Sequence, residues 1–250
     1  MKRREFLKGT AIAGVGVSAA ALLGRAGIDG LKASGQSAAG AAKLSPPATG
    51  KILVAFPISE SVQVIDMAGP WEVFQDVMIQ EGPHEEGMDH GMPFELYTVA
   101  ASKDVVTATG GMKIVPNYTF TDAPSPKIVV VAAQEGSDAL REWLKKVAAN
   151  TGTDLVASVC TGAFQLAKAG LLSGKAATTH HQALKLMQTK YPDVHVEKGL
   201  RFVDGGKIVT AGGLTSGIDL ALHVVERYYG RAVAQQTAEF MEYQSKGWMT

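Results

Sequence analysis

The sequence contains one cysteine, Cys160, among its 250 residues. A single thiol forms no internal disulfide, and with neither a cysteine pair nor a ligand cluster a structural zinc site is excluded. A phosphate-binding loop is also missing, because Gly212, Gly213 and Gly217 lack the spacing of a dinucleotide fingerprint. These absences leave three interpretations of Cys160: a reactive thiol, an intermolecular bridge or a small buried side chain.

Net charge is absent as well, since 24 basic residues balance 24 acidic ones. The balance is uneven along the chain. Seven basic and two acidic residues precede Leu44, which leaves 17 basic and 22 acidic residues, a net charge of −5, for positions 44–250. A mildly acidic domain without a basic stripe argues against nucleic acid as a partner. Hydrophobic residues make up 46% of the chain, which is enough for a packed core.

The N-terminus has the pattern of an export signal. A basic stretch with the pair Arg3-Arg4 precedes an apolar run from Gly9 to Leu23, which resembles a bacterial twin-arginine signal. A permanent membrane anchor is the alternative, but the run is shorter than the ~20 apolar residues of a span and is diluted by glycine. We therefore predict a signal peptide at residues 1–33, a periplasmic or secreted location, and no membrane association once the signal is removed.

The remaining chain divides into a linker and one domain. Residues 34–50 are rich in Ala, Gly, Ser and Pro and are interpreted as a linker. Residues 51–250 contain apolar runs typical of strands that are buried on both faces of a parallel sheet. The predicted strands are Lys51–Pro57, Phe94–Ala100, Lys127–Ala133, Asp154–Cys160 and Lys207–Ala211.

Helical patterns lie between these strands, the first at Met67–Gln80. The alternation predicts an α/β fold, a doubly wound three-layer sandwich with a mostly parallel sheet. Residues 104–119 are predicted to form a small β-hairpin, and residues 175–203 a strand, a helix and a strand.

The strongest local motif is the end of the fourth predicted strand, Ser158–Ala163 (SVCTGA). A buried strand ends at a cysteine and a helix starts at once, which is the arrangement of a nucleophile elbow. Small residues on either side, Ser158 and Gly162, suit so sharp a turn. Because a helix N-terminus favours the thiolate, we expect a lowered pKa for Cys160 and a reactive thiol. An inert cysteine packed between strand and helix is the alternative.

Asp66 is the second candidate, in the segment VIDMAGPWEVF between the first strand and a helix. Asp is a preferred N-cap residue, so a helix cap is a sufficient explanation. Ligands of open α/β sheets, however, bind outside the carboxyl ends of the strands, where this loop and the Cys160 turn meet. A carboxyl in that crevice is expected to have a raised pKa and to share a proton with the thiol.

Three further segments carry weaker signals. Ala133 and Gln134 follow the third strand, where backbone N–H groups can join that of Thr161 in an oxyanion hole; a plain loop is the alternative. His180, in the run TTHH, would suit a Cys–His pair, or it begins a surface helix. Residues 83–90 (PHEEGMDH) lack the spacing that fixes a metal geometry, so we expect a solvated loop and no metal site.

Five motifs together resemble the ThiJ/PfpI superfamily, which is glutamine-amidotransferase-like in fold. The motifs are Asp66–Phe74, Val159–Ala163, Ala169–Gly174, Thr178–His180 and Gly212–Asp219. The resemblance covers about residues 51–243. It is nearest to the subgroup that contains isonitrile hydratases and the ligand-sensing domains of AraC-type regulators.

This resemblance implies a flavodoxin-like fold, a homodimer, a small-molecule substrate and no metal or organic cofactor. It places the nucleophile on Cys160, the essential carboxylate on Asp66 and the threonine of the hydratases on Thr161. Proteases and deglycases of the superfamily have Glu in place of this Asp, and the proteases have His after the cysteine, so both are disfavoured. The family has Gly-Gly where this chain has Ala133-Gln134, and we expect Gln134 to narrow the crevice or to add its own amide.

Three functions follow as hypotheses. The first is a cysteine-dependent lyase that hydrates an isonitrile or a similar small electrophile. The second is a non-catalytic sensor domain, although we expect no helix-turn-helix region after residue 243, and export also counts against a transcription regulator. The third is a carbonyl-stress or oxidative-stress protein that uses Cys160 as an oxidisable thiol.

Overall fold

The computed structural model describes residues 42–79 and 91–249. The strands in this part of the chain are β1 (Ile52–Pro57), β2 (Phe94–Ala100), β3 (Val106–Thr107), β4 (Lys113–Ile114), β5 (Tyr118–Thr119), β6 (Ile128–Val131), β7 (Leu155–Ser158), β8 (Ala176–Ala177), β9 (His195–Val196), β10 (Phe202–Asp204) and β11 (Ile208–Ala211). The helices are α1 (Val64–Gln75), α2 (Asp138–Ala149), α3 (Ala163–Lys168), α4 (Leu184–Lys190), α5 (Ser216–Tyr229) and α6 (Arg231–Phe240).

A seven-stranded sheet in the order β10-β11-β7-β6-β1-β2-β5 forms the centre of the fold. All neighbouring strands in it are parallel except the edge pair β10 and β11. Ala55 of β1 lies opposite Tyr97 of β2 and Val129 of β6, which fixes the register at the middle of the sheet. The carboxyl ends of β1, β6, β7 and β11 therefore meet at one edge, where open α/β sheets bind ligands.

Two apolar clusters cover the two faces of the sheet. One joins β1 and β6 to α1, α5 and α6 and includes the fully buried Phe56, Phe74 and Leu220. The other joins the opposite face to α2 and α3, through residues such as Leu144 and Leu166. The predicted flavodoxin-like three-layer α/β sandwich with a mostly parallel sheet is confirmed.

Helix α2 shows why these layers form. Its buried side chains, Leu140, Trp143, Leu144 and Val147, recur at helical spacing, and Ser137 caps the helix by accepting the Leu140 N–H at 3.1 Å. Burying each large apolar side chain contributes roughly 1.5–3 kcal/mol. This stripe therefore fixes α2 on the sheet.

Smaller elements lie outside the sheet. The predicted hairpin is the antiparallel pair β3–β4, and the predicted strand, helix and strand after residue 175 are β8, α4 and β9, with β8 and β9 parallel. Three features were missed by the sequence analysis. Strand β10 pairs antiparallel with β11 at one edge of the main sheet, and strand β5 extends the other edge beside β2. Helix α6 packs on α5 through buried Ala234 and Ala238.

The domain begins earlier than the sequence pattern indicated. Leu44 packs against the core, its N–H donates to the Arg227 carbonyl at 2.8 Å, and Arg227 Nε donates to the Ala42 carbonyl at 3.1 Å. The last part of the segment interpreted as a linker is therefore held on α5. The predicted signal peptide at 1–33, residues 34–41 of the linker and the loop at 83–90 lie outside the described residues. Among the described helices, none is long and apolar enough to cross a membrane.

Candidate active site

The site is built on the turn between β7 and α3. Cys160 follows the strand with φ = +58°, in the left-handed region that side chains other than glycine rarely adopt. Gly162 makes the turn possible, because a Cβ at this position would lie 2.1 Å from the Val131 carbonyl oxygen. A strained cysteine at a strand-to-helix turn has the geometry of a nucleophile elbow.

Two hydrogen bonds hold the strained cysteine backbone from neighbouring segments. The Cys160 N–H donates to the Gly212 carbonyl at 2.7 Å, and the Cys160 carbonyl accepts from the Thr179 hydroxyl at 2.8 Å. Thr179 is 2% exposed, so this bond is shielded from water. The conformation of the nucleophile therefore depends on segments distant in sequence as well as on the elbow.

Asp66 lies inside the first turn of α1 and is completely buried. The interpretation of this residue as an N-cap is wrong, because α1 begins at Val64, one turn earlier than the predicted Met67, and Gln63 holds the cap position. Its Oδ2 accepts the Ala133 N–H at 3.1 Å. Its Oδ1 has no hydrogen-bond partner among the described residues.

The Asp66 carboxyl and the Cys160 thiol lie close enough to shift each other's pKa. Burial raises the pKa of Asp66 from 3.8 to about 7, against the smaller lowering by the Ala133 N–H and the thiol. This direction agrees with the expectation for a carboxyl in an apolar crevice. The pair holds two exchangeable protons that are lost in two separate steps.

The expected lowering of the thiol pKa is wrong. Burial and, to a smaller extent, the negative charge of Asp66 together raise the pKa of Cys160 to about 11, against the opposing effect of the N–H groups of Thr161 and Leu214. The helix dipole is weak because the elbow leads through a short 3₁₀ turn into a helix of six residues. Desolvation of the charged sulfur outweighs these donors.

Gln134 occupies a different position from the one expected. Its amide nitrogen donates to the Pro57 carbonyl at 2.9 Å and to the Ala132 carbonyl at 3.2 Å, and its amide oxygen accepts from Ser59 at 2.8 Å. The side chain thus joins the loop after β6 to the end of β1. The Ala133 N–H is used by Asp66, so the structure brings Ala133 to the carboxyl rather than to an open oxyanion position.

Thr161 follows the cysteine directly, whereas His180 lies beside the turn after β11. The Thr161 N–H faces the sulfur, and its side chain is half-buried. His180 contacts Gly213, where a Cβ would lie 2.5 Å from the imidazole Cδ2, and its ring lies against that of His181 at 4.4 Å. Partial burial and His181 lower the pKa of His180. His180 therefore borders the Gly212–Leu214 turn.

Sequence reasoning missed this turn as part of the site. Gly212 and Leu214 supply the acceptor for the Cys160 N–H and a donor that faces its sulfur. The available signal was the position of two glycines directly after strand β11, at the same edge as the elbow. Among the described residues, no group of three or more His, Cys, Asp and Glu side chains is placed to hold a metal ion.

The fold and site define a class of protein: an α/β sandwich in which an elbow cysteine meets a buried carboxyl at the carboxyl edge of a parallel sheet. The model of the DJ-1/PfpI family matches residues 52–227, which is more than half of the chain. The protein therefore belongs to the DJ-1/PfpI family, which confirms the resemblance drawn from the sequence motifs.

Relatives in this family have different functions. The isonitrile hydratase of Pseudomonas putida is 30% identical over 196 residues, which cover 76% of this chain and 78% of the hydratase. The HTH-type transcriptional regulator CdhR of Pseudomonas aeruginosa is 31% identical over 155 residues, 60% of this chain and 45% of the regulator. The chain thus spans less than half of that regulator.

Solved structures support the fold. A ThiJ/PfpI family protein from Pseudomonas syringae matches with a TM-score of 0.66 at 24% identity, over 79% of this chain and 77% of that protein. DJ-1beta of Drosophila melanogaster matches with a TM-score of 0.62 at 16% identity, over 79% of this chain and 100% of that protein.

Proposed function

We propose that this protein is a cysteine-dependent hydratase that converts a small electrophile such as an isonitrile into an N-substituted formamide. The observation that carries the proposal is the Asp66 carboxyl, which is buried beside the thiol and has one oxygen without a partner among the described residues. A nucleophile and a proton carrier thus meet at one place. The similarity to isonitrile hydratase supports this substrate class.

The first step forms a bond between sulfur and carbon. Between pH values of about 7 and about 11 the pair holds one proton and one negative charge. With the proton on sulfur and the charge on Asp66, the carboxylate takes the thiol proton as the sulfur attacks the terminal carbon of the isonitrile, and it passes that proton to the carbon. The product is a neutral thioimidate on Cys160 and a carboxylate on Asp66.

Water completes the reaction. The Asp66 carboxylate accepts one proton as the water oxygen bonds to the thioimidate carbon, and passes that proton to the nitrogen. Asp66 then accepts the second proton of the water as the carbon–sulfur bond breaks, and passes it to the departing sulfur. The formamide leaves, and the thiol and the Asp66 carboxylate are restored.

The remaining site residues have supporting roles in this proposal. The Thr161 hydroxyl positions the substrate or the water, and the N–H groups that face the sulfur stabilise its negative charge. The Ala133 N–H holds the Asp66 carboxyl in place. Gln134 fixes the loop that carries this N–H, and His180 borders the crevice.

The thiol pKa distinguishes this function from a role as a redox sensor. Susceptibility to oxidation follows thiolate character and exposure. Cys160 is 7% exposed and its pKa is raised to about 11, so little free thiolate is present at neutral pH. A reaction in which Asp66 transfers the thiol proton suits this cysteine better than one that needs the thiolate to be present beforehand.

The test is turnover of small isonitriles by the wild-type protein and two variants, with α-dicarbonyls as a second substrate set. Cys160→Ala is expected to abolish hydration. Asp66→Asn is expected to lower it by about 10²-fold or more, the scale of a general acid, and to leave the thiol open to alkylation. Intact-mass analysis during turnover should show the substrate mass added to wild-type protein alone.

Thr189→Val is a matched control, because it removes an exposed hydroxyl that donates only to the Lys185 carbonyl of its own helix. It should turn over isonitrile at the wild-type rate. Wild-type turnover by Asp66→Asn would overturn the mechanism. Binding of isonitrile without any turnover would favour the sensor function.

We also propose export and a homodimeric state. Changing Arg3 and Arg4 to Lys should keep the protein in the cytoplasm if the signal is of the twin-arginine type. Unchanged secretion of this double variant would contradict that assignment. Light scattering on the mature protein should give twice the mass of one chain, and a monomeric mass would contradict the dimer.

A further inference from the structure

The turn that follows β11 contacts the nucleophile at two points. The Gly212 carbonyl accepts the Cys160 N–H at 2.7 Å, and the Leu214 N–H faces the sulfur. Leu214 has φ = +50°, a left-handed conformation that its side chain disfavours. A turn in this conformation persists only where its surroundings hold it.

Arg201 holds this turn at both ends. Its backbone carbonyl accepts the Gly212 N–H at 2.9 Å. Its guanidinium Nη2 donates to the Thr215 hydroxyl at 3.2 Å. Gly213 and Leu214 lie between these two attachments, so the position of the Leu214 N–H depends on Arg201.

Arg201 is itself fixed by the first turn of α5. Its Nε donates to Asp219 Oδ2 at 2.5 Å, and its Nη2 contacts the same oxygen. Asp219 is fully buried, and it also accepts from the hydroxyls of Tyr243 at 3.1 Å and Ser245 at 2.9 Å. A planar guanidinium holds Asp219 and Thr215 through two nitrogens in a fixed plane, whereas a lysine has all its donors on a single nitrogen.

We propose that Arg201 is a positioning residue for Cys160, which acts by holding the Gly212–Thr215 turn against the nucleophile. The inference rests on the proposed role of Cys160 as nucleophile and is independent of which electrophile is the substrate. The competing role for Arg201 is structural, since the same Asp219 contacts tie down the C-terminal residues. The two roles differ in what they do to the thiol.

The test is the rate of Cys160 alkylation by iodoacetamide in the folded protein at pH 8 to 10. The groups that act on the sulfur are the Asp66 carboxyl from α1 and the N–H groups of Thr161 and Leu214. Arg201→Lys keeps the positive charge and loses the double attachment, and Thr215→Val changes no charge. Both should withdraw the Leu214 N–H and slow alkylation at fixed pH by about threefold or more, which corresponds to ~0.5 pKa unit.

Arg227→Lys is the matched control. Arg227 is likewise paired with a buried aspartate, Asp204, but its contacts are to Asp204, Gly206 and Ala42. This control should lower the melting temperature and leave the alkylation profile unchanged. Wild-type profiles for both Arg201→Lys and Thr215→Val would overturn the inference and leave Arg201 a structural anchor. A shifted profile in a protein that hydrates no isonitrile would contradict the proposed function alone.

Discussion

Asp66 and Asp204 are both buried aspartates, and their surroundings drive their pKa values in opposite directions. Asp204 lies at the end of β10, where it accepts from His223 Nε2 at 2.7 Å, Arg227 Nη1 at 3.2 Å and the Gly206 N–H at 2.7 Å. Burial alone would raise its pKa, but these partners outweigh burial and lower it. Asp66 has one backbone donor and a raised pKa.

The difference teaches that burial raises the pKa of both carboxyls, and that charged partners decide whether this rise is overcome. Asp204 has a cationic guanidinium and an imidazole, so it stays ionised and joins β10 to α5. Asp66 faces the Cys160 thiol, and its Oδ1 has no hydrogen-bond partner among the described residues, so its proton remains exchangeable near neutral pH. A structural carboxylate and a candidate proton carrier thus occur within one domain.

The largest expected effect is the loss of stability when Asp204, the aspartate paired with Arg227, is replaced. Asp204→Ala leaves the Arg227 charge buried without its carboxylate, and removing one partner of a buried pair costs about 3–5 kcal/mol. Urea unfolding at pH 7 should show this loss. The control is Glu142→Ala, which breaks an exposed pair with Lys145 and should cost less than ~1 kcal/mol. Equal losses in the two variants would show that Asp204 is not a structural centre.

Asp66, which has no cationic partner among the described residues, should have the opposite effect on stability. The folded-state pKa of Asp66 is raised from 3.8 to about 7, so between these pH values the folded protein keeps a proton that the unfolded chain has released. The free energy of unfolding therefore falls as pH rises from about 4 to about 7. At ~1.4 kcal/mol per pKa unit, the upper limit of this loss is about 4 kcal/mol.

Asp66→Asn removes this titration and keeps an acceptor for the Ala133 N–H. Relative to the wild type, the variant should gain stability between pH 4 and pH 8, as measured by urea unfolding at both values. Asp204, with its lowered pKa, contributes stability that is lost as pH falls through that pKa, so Asp204→Asn should show no such gain. A pH-independent stability difference for Asp66→Asn would contradict the raised pKa.

The pH dependence of turnover sharpens the same contrast. The proposed reaction needs the Asp66–Cys160 pair with one negative charge, and that form appears above about pH 7. The kcat/KM for isonitrile should rise about tenfold per pH unit below this value and level off above it. The residual activity of Asp66→Asn should lack this inflection. An inflection that persists in the variant would assign it to another group.

The smallest effect concerns the aromatic neighbour of the paired aspartate. The Phe202 ring lies 4.6 Å from that of His223, which binds Asp204. Phe202→Leu should cost about 1 kcal/mol, because most of the buried volume is kept and one ring contact is lost. Turnover should be unchanged. A loss of turnover would show that the two regions are coupled.

Much of the fold follows from apolar patterning in the sequence. The continuous runs at Ile52–Pro57 and Ile128–Val131 indicate strands buried on both faces, and they are the neighbouring central strands β1 and β6. Strand β5 has two residues and helix α6 follows a single glycine, so neither has a pattern long enough to be distinctive. Leu44 was missed because one apolar residue in a proline-rich segment carries no period.

The sequence predicted the main residues of the candidate site but not the pKa of its thiol. The motifs placed Cys160 and Asp66 at one sheet edge, as the structure does. The pKa of Cys160 was predicted in the wrong direction, because the sequence shows the helix that follows but not the depth of burial. The contacts of Gln134 with Pro57 and of Arg201 with Thr215 join segments distant in sequence, which no local pattern records.

The single buried thiol can also be used to measure unfolding of the protein. In the unfolded chain Cys160 has the ordinary thiol pKa of ~8.5, and folding raises it to about 11. At pH 8 the unfolded thiol is therefore alkylated faster by on the order of 10²-fold from ionisation alone. Since the chain has no second cysteine, the rate of labelling of the purified protein measures the opening of the β7–α3 turn directly.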